Sequence, residues 1–184
     1  YWISVIGYLV LALTVVGYGI VFVTMYGEAH PWVKASEWIY REVEASSVVA
    51  VEDWDTPLPL ALEVARGARR IDEYDVRALR LYDTPDDAAK WREIVTEMAR
   101  SDYLVVASRR LYGSIPRLPG RYPVAAHYHE LLFAGDLGFE QAGEFTRGAG
   151  WLNPRVSPLP RSAPGLLVPD ESLVVYDHPR ALLF

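Results

Sequence analysis

The stretch "YLVVASRR" (residues 103–110) places five apolar residues before one serine and two arginines. An apolar run with no alternating polar positions is typical of a central parallel strand, which is buried on both faces. Two comparable runs precede it, "SVVAVED" (47–53) and "VRALRLY" (76–82), and helical patterns separate the three. Strands that alternate with helices predict an α/β domain with a mostly parallel sheet, and we expect a small Rossmann-like three-layer sandwich.

Helix signals lie between and beside these strands. Pro31 suits a first helical turn, and residues 32, 35, 39 and 43 then recur on one apolar face. Thr56 and Pro57 predict a helix that continues to about Gly67. The sequence "TPDD" (84–87) has capping-box spacing before a helix around residues 91–98, and Pro123 opens another that ends near residue 135. Further strands are predicted at 139–146, 172–177 and 181–184, with an aperiodic, proline-containing loop at 147–171.

Residues 1–27 contain no Asp, Glu, Lys or Arg, which predicts a transmembrane helix. A helix of that length extends roughly 40 Å, against about 30 Å for the hydrocarbon core of a bilayer. Tyrosines and a tryptophan lie towards both ends, as an interfacial aromatic belt requires. A buried core helix and a signal peptide are the weaker alternatives, because core helices seldom run this long without a charge and no basic region precedes the apolar run.

Residues 28–55 hold seven acidic and only two basic residues, which favours an extracytoplasmic location for the chain after the span. The chain opens with Tyr1, so we interpret it as the last span and the C-terminal part of a longer, multi-pass protein of the cell membrane. The predicted organisation is a span at 1–27, a juxtamembrane linker and helix at 28–46, and an extracytoplasmic α/β domain at 47–184.

Charged residues come after each predicted strand, and the carboxyl ends of parallel strands form the ligand crevice of an open sheet. Two readings stay open: these charges pair with one another and fix the loops, or an arginine binds a phosphate or carboxylate through its planar fork. Between 108 and 123, "SRRLYGSIPRLPGRYP" has four arginines and no acid, which predicts an irregular loop held open by its prolines. The candidate ligand-binding residues are Arg109, Arg110, Tyr112, Arg117, Arg121, Asp53 and Asp55.

Composition and motifs exclude several classes of function. A net charge of -6 argues against nucleic acid as a partner, and the absence of cysteine excludes disulfides and thiolate chemistry. No nucleotide-binding glycine loop, P-loop or nucleophile elbow is present. His127 and His129 stand two apart, which on a helix sends them to different faces and argues against a metal site. The sequence therefore predicts no cofactor, no metal and no catalytic residue within this chain.

Several stretches together carry a resemblance: "KASEWIYREV", "EDWDTPLPL", "LYDT", "DYLVVASRRLYGSIPRLPGRYP", "YHELLFAGDLGFE" and "VYDHPRALLF". They resemble the C-terminal portion of large polytopic bacterial and archaeal membrane proteins of the YYY type. These are similar in turn to GT-C class glycosyltransferases, such as the protein mannosyltransferases and the aminoarabinose transferase of lipid A. The resemblance implies a last transmembrane helix followed by a small extracytoplasmic α/β domain.

In GT-C enzymes the catalytic carboxylate lies in an early extracytoplasmic loop, and the donor is a polyprenyl-phosphate sugar. The resemblance thus implies a non-catalytic domain that aids acceptor or lipid-phosphate binding, with the bilayer and the upstream membrane domain as partners. The alternatives are a membrane-anchored ligand-binding or sensor module with no enzyme, and a soluble α/β enzyme. The last must explain away both the apolar span and the missing motifs.

Overall fold

The computed structural model describes residues 2–62, 70–147 and 179–184. Its helices are α1 (Trp2–Met25), α2 (Pro31–Glu42), α3 (Ala88–Met98), α4 (Arg110–Ser114) and α5 (Pro123–Ala134). Its strands are β1 (Val48–Glu52), β2 (Asp75–Leu79), β3 (Tyr103–Val106), β4 (Gly143–Phe145) and β5 (Ala181–Leu183). Two short 3-10 helices cover Ile71–Glu73 and Ile115–Arg117.

The five strands form one sheet in the order β2-β1-β3-β5-β4. β1 pairs in parallel with β2 and β3, whereas β5 runs antiparallel between β3 and β4. Four of the five strands therefore point the same way, which confirms a mixed α/β fold with a mostly parallel sheet. The β3 run is as buried as its composition predicts, with Leu104, Val105 and Val106 at most 1% exposed.

Side chains alternate across the sheet because successive strand residues point to opposite faces. Val49 and Val51 pack in one apolar cluster with Ala35, Ile39 and Val43 of α2 and its C-terminal end. The other face carries a second cluster that includes Ala50, Leu104, Ile94, Met98, Leu111 and Leu132. The predicted inner face of α2 is confirmed at residues 35, 39 and 43, all fully buried.

The helix predicted from Thr56 is wrong over residues 56–62, which are not helical. Pro57 and Pro59 each push the preceding residue out of the helical region of backbone space. The segment is instead held on α2, because the Leu60 N–H donates to Ser36 Oγ (2.8 Å) and Tyr40 Oη donates to the Leu60 carbonyl (2.6 Å). The remainder of that predicted helix lies outside the described residues.

Four other predictions need correction. The N-cap of α3 is Asp87, whose carboxylate accepts from the Ala89 and Lys90 N–H groups, and not Thr84. The strand predicted at 139–146 is confined to β4, and β2 ends at Leu79, where the Leu81 N–H turns back to the Leu79 carbonyl at 2.9 Å. The arginine segment is not an irregular loop, because α4 and a 3-10 helix occupy residues 110–117. The strand predicted at 172–177 lies outside the described residues.

α1 is long and apolar enough to cross a bilayer. Its segment Trp2–Thr24 has 23 residues with a mean hydropathy of 2.3, and none of its apolar stretch is buried against the rest of the protein. Only five residues separate its last residue from the first of α2. The membrane-type helix is thus joined through a short connection to a helix of the domain's core.

Candidate functional site

The carboxyl edge of the sheet lies at the same end of the domain as α1. In the first turn of α2, Trp32 Nε1 donates to the carbonyl of Ala107, the residue after β3, at 2.6 Å. Next to it, Lys34 Nζ donates to the carbonyl of Thr146, the residue after β4, at 3.1 Å. The Arg147 guanidinium lies 4.5 Å from the ring centre of Tyr26, which directly succeeds α1. In open parallel sheets ligands bind at this edge, which here lies on the side of α1.

One part of this edge is a brace between the β1 and β3 loops. Ser108 Oγ donates to the carboxylate of Asp55, and the Arg110 N–H donates to Ser108 Oγ at 3.1 Å. Arg110 Nη1 also lies 3.7 Å from Asp55 Oδ1, and both side chains are largely buried. The sequence left two interpretations open for the charges at this edge. Arg110 agrees with the first, in which the charges pair with one another and fix the loops.

Arg109 has a different setting, among other hydrogen-bond donors. Burial lowers the pKa of its guanidinium below the usual value, and the nearby charges of Arg117 and Arg180 lower it further. Among the described residues, Arg180 forms an ion pair with Glu144 (2.9 Å), whereas Arg109 and Arg117 form none with any carboxylate. Within the part of the chain that the structure describes, two like charges therefore lie close together with no carboxylate paired to either.

The Tyr112 hydroxyl lies beside the same arginines. It is enclosed and has no hydrogen-bond partner within the described part of the chain. Burial raises its pKa to about 12, so the group remains a neutral O–H donor at physiological pH. Arg109, Arg117 and Tyr112 therefore offer donors, and the nearby acceptors Glu52 and Glu144 already bind other groups. Such a set of donors has the chemistry that suits an anion.

Gly113 permits the position of the Arg109 side chain. A Cβ at residue 113 would stand 3.1 Å from Arg109 Cγ and 3.4 Å from its Nε. Because residue 113 has no side chain, the Arg109 side chain can lie against α4 at that position, near Tyr112 and Arg117.

Beneath the edge lies a buried polar group that the sequence did not suggest. The Glu52 carboxylate is 3.1 Å from His129 Nε2 and 3.4 Å from the hydroxyl of Tyr128. Burial, and after it the Glu52 charge, raises the pKa of Tyr128 well above its usual value. His127 is exposed on the other side of α5, which confirms that the two histidines face different ways. The described residues hold no group of three or more side chains suited to a metal ion.

Aromatic rings line the β2–β1 half of the same edge. Trp54, two residues after β1, lies 4.5 Å from the Tyr82 ring, and Tyr82 lies 5.1 Å from Tyr122. The Arg121 guanidinium sits over the Tyr122 ring at 5.1 Å. Asp53 is exposed beside Trp54. The ring stack could not be foreseen, because residues 54, 82 and 122 come from three separate loops.

The candidate residues thus divide into three groups along one edge. Asp55 and Arg110 form the brace, Arg109, Tyr112 and Arg117 form the donor-rich group, and Arg121 and Asp53 belong with the aromatic stack. Arg180 and Glu52 were missed as members of the site. Arg180 lies between the strands predicted at 172–177 and 181–184, where no pattern marks it, and Glu52 resembles the other acidic residues at the end of β1.

His30, at the junction with α1, gives the domain a pH-dependent contact. Its Nδ1 accepts the N–H of Trp32 at 3.2 Å as the N-cap of α2, which only the neutral ring can do. Burial, and then the Arg147 charge, lower its pKa below the ordinary 6.5. Because the folded pKa is the lower one, this stabilisation is complete above about pH 6.5 and is lost as pH falls through the lowered value.

We expect His30→Asn to remove that part of the pH dependence, since asparagine caps a helix without titrating in this range. The measurement is the urea midpoint of the full chain from about pH 7.5 to about pH 5, where histidines titrate. His127→Asn is the matched control and should keep the wild-type pH profile. An unchanged profile in His30→Asn would show that the cap does not respond to pH.

Comparison with protein-family models, with curated proteins and with solved structures finds no match for this chain.

Proposed function

We propose that this chain is a membrane-held, non-catalytic binding domain that takes a phosphate group at Arg109, Arg117 and Tyr112. The observation that carries the proposal is the half-buried Arg109 guanidinium, whose pKa is lowered by burial and by neighbouring arginines. An arginine in such a position is stabilised by an anion, and guanidinium groups suit phosphate oxygens in geometry and charge. The site lies on the edge nearest α1, which favours a phosphate carried at the membrane surface.

The proposed context is a membrane glycosyltransferase that uses a polyprenyl-phosphate sugar, as the resemblance to YYY-type and GT-C proteins implies. In that context the domain would come after the last span, face the extracytoplasmic side and bind the lipid phosphate or the glycan acceptor. We also propose that it is a small Rossmann-like three-layer sandwich, since apolar clusters cover both faces of its sheet. The alternative is a binding or sensor module on a single anchor, which the same phosphate site would serve equally well.

The test is binding of geranyl phosphate to the full chain in lipid nanodiscs, measured by calorimetry, with geraniol as the ligand without phosphate. A hydrogen-bonded charged group contributes about 1.5–3 kcal/mol, so Arg109→Ala should weaken binding roughly ten- to a hundredfold. Arg100→Ala, an exposed arginine on the far side of the domain, is the matched control and should bind like the wild type.

Geranyl phosphate that fails to bind, or that binds Arg109→Ala and wild type equally, would overturn the proposed phosphate site. Inorganic phosphate as a third ligand distinguishes the sources of the group. Equal affinity for inorganic and geranyl phosphate would point to a free anion, and tighter binding of geranyl phosphate to a lipid-linked one.

A further inference from the structure

We infer that Trp54 and the turn Leu118–Arg121 form a second contact with the bilayer that α1 crosses, so that the domain rests on the membrane at two points. This bilayer contact is independent of the phosphate site and goes beyond it. The argument starts from exposed apolar side chains. Past Gly27, the two most exposed large apolar residues in the described part of the chain are Trp54 (49%) and Leu118 (47%).

These two residues belong to one surface, which we call the rim patch: Trp54, Tyr82, Leu118 and Arg121. Tyr82 and Tyr122 link Trp54 to Arg121 through ring contacts at 4.5, 5.1 and 5.1 Å. Arg121 belongs to the same short turn as Leu118, because the Arg121 N–H donates to the Leu118 carbonyl at 2.9 Å. An exposed tryptophan and leucine beside arginine is the composition that membrane interfaces favour.

The rim patch also lies at the correct end of the domain. Trp54 comes after β1 and Tyr82 after β2, and both strands run parallel to β3, whose carboxyl end meets the first turn of α2. The patch and the end of α1 therefore lie on the same edge of the sheet. Since neighbouring strands are about 4.8 Å apart, the three spacings from β4 to β1, which Trp54 follows, separate the two contacts by about 14 Å.

This separation decides what two contacts would do. α1 is joined to the domain by a five-residue connection and is one point of attachment to the membrane. A second contact about 14 Å away on the same edge would lay that edge along the membrane surface. Arg109 follows β3, which lies between β4 and β1 in the sheet, and would then face the headgroups.

Charge on the rim patch is mixed, which sets the expected lipid preference. Arg117 and Arg121 are exposed on either side of Leu118, and Asp53 and Asp83 are exposed next to the ring stack. The bilayer contact therefore depends mainly on Trp54 and Leu118. We expect only a small gain from anionic lipid, because the two arginines are partly offset by the two aspartates.

The experiment uses the absence of cysteine, which allows a single spin label in the full chain. Gly120 is exposed and a side chain there meets nothing within 4 Å, so Gly120→Cys reports on the loop without replacing Leu118. Glu140→Cys, exposed near the opposite end of α5, is the matched control position. The measurement is label accessibility to oxygen, which concentrates in lipid, and to a nickel chelate, which stays in water, in mixed phosphatidylcholine–phosphatidylglycerol nanodiscs.

We expect oxygen to reach the label at position 120 more readily than the nickel chelate, with the reverse at position 140. In the background Trp54→Ser/Leu118→Ser, the label at 120 should return to the pattern seen at 140. Arg109→Ala should leave the label at 120 unchanged, so loss of the phosphate site and loss of the bilayer contact are distinguishable.

Two outcomes would overturn the inference. A nickel-accessible label at 120 in the wild-type background would show that the loop stays in water. A label that neither reagent reaches would show that protein covers the loop, from a second copy or from another domain.

Discussion

Replacing Lys90 with methionine is expected to destabilise the domain by about 3–5 kcal/mol, because it leaves a buried carboxylate without its counter-charge. Lys90 Nζ donates to Asp86 Oδ1 (2.6 Å) and to the carbonyls of Leu81 (2.5 Å) and Asp83 (2.8 Å). The Lys90 and Asp86 side chains are only 7% and 2% exposed. Methionine keeps most of the volume, so the loss measures the ammonium group, with its charge and its hydrogen bonds, and not a cavity.

Asp86 extends the same network to α5. Its other oxygen accepts the N–H groups of Val124 (2.6 Å) and Ala125 (3.3 Å) in the first turn of that helix. Lys90 therefore fixes α3, the loop after β2 and the start of α5 against each other. Those elements also carry Tyr82 and Tyr122, which hold the rim patch.

The measurement is urea unfolding of the full chain in detergent micelles, monitored by tryptophan fluorescence. Arg92→Met, exposed on the same helix, is the control and should change stability by less than about 0.5 kcal/mol. The double variant Lys90→Met/Asp86→Asn should recover part of the loss, since the amide carries no charge. A loss below about 1 kcal/mol in Lys90→Met would show that solvent or another group neutralises Asp86.

The sequence could not predict this network, although it did place α3. The "TPDD" stretch offers Thr84 and Asp87 as a capping pair, and spacing alone cannot say which residue begins the helix. Asp87 takes the cap, and Asp86 is then turned inward towards Lys90. A buried lysine is uncommon, so its burial results from tertiary contacts that no local pattern encodes.

β1 and β3 were predictable because each is a short apolar run whose burial is decided by its own composition. β1 and β3 lie within the predicted ranges, and α2 packs through the residues that its period selects. The segment after Thr56 was not predictable. Thr56 alone suggests a helix start, but Pro57 and Pro59 prevent the helix. The prediction for residues 110–117 failed for a related reason, since an arginine- and proline-rich composition is also typical of irregular loops.

Only part of the candidate site was visible in sequence. The rule that ligands bind at the carboxyl ends of parallel strands correctly brought Asp55 and Arg110 together. It could not separate Arg110, which braces a loop, from Arg109, which lies among other donors. The two neighbouring arginines differ because their side chains leave the start of α4 in different directions. Gly113 is the local feature that leaves room for the Arg109 side chain.

The largest effect is expected in α1, where Leu11→Arg/Val15→Arg should abolish stable membrane insertion of the full chain. Both residues are exposed and lie near the centre of the span Trp2–Thr24. An arginine at the centre of a transmembrane helix costs about 2.5–3.5 kcal/mol on insertion-based scales, so the pair costs roughly 5–7 kcal/mol. That corresponds to a shift of roughly 10³- to 10⁵-fold in the insertion equilibrium.

The measurement is flotation in a density gradient after an alkaline carbonate wash, which separates inserted protein from aggregates. Wild type should float with the lipid, as should the control Leu11→Val/Val15→Leu, which exchanges the two side chains. A wild-type chain released by carbonate would contradict a membrane-spanning α1.

The same experiment also tests how the two membrane contacts depend on each other. Burying one large apolar side chain contributes about 1.5–3 kcal/mol, so Trp54 and Leu118 alone hold the domain weakly and reversibly. With α1 inserted, the rim patch is tethered close to the bilayer. The high local concentration raises the occupancy of the second contact without any new interaction. We therefore expect Leu11→Arg/Val15→Arg to lose flotation and also the oxygen-accessible signal at position 120, although the rim patch itself is unchanged.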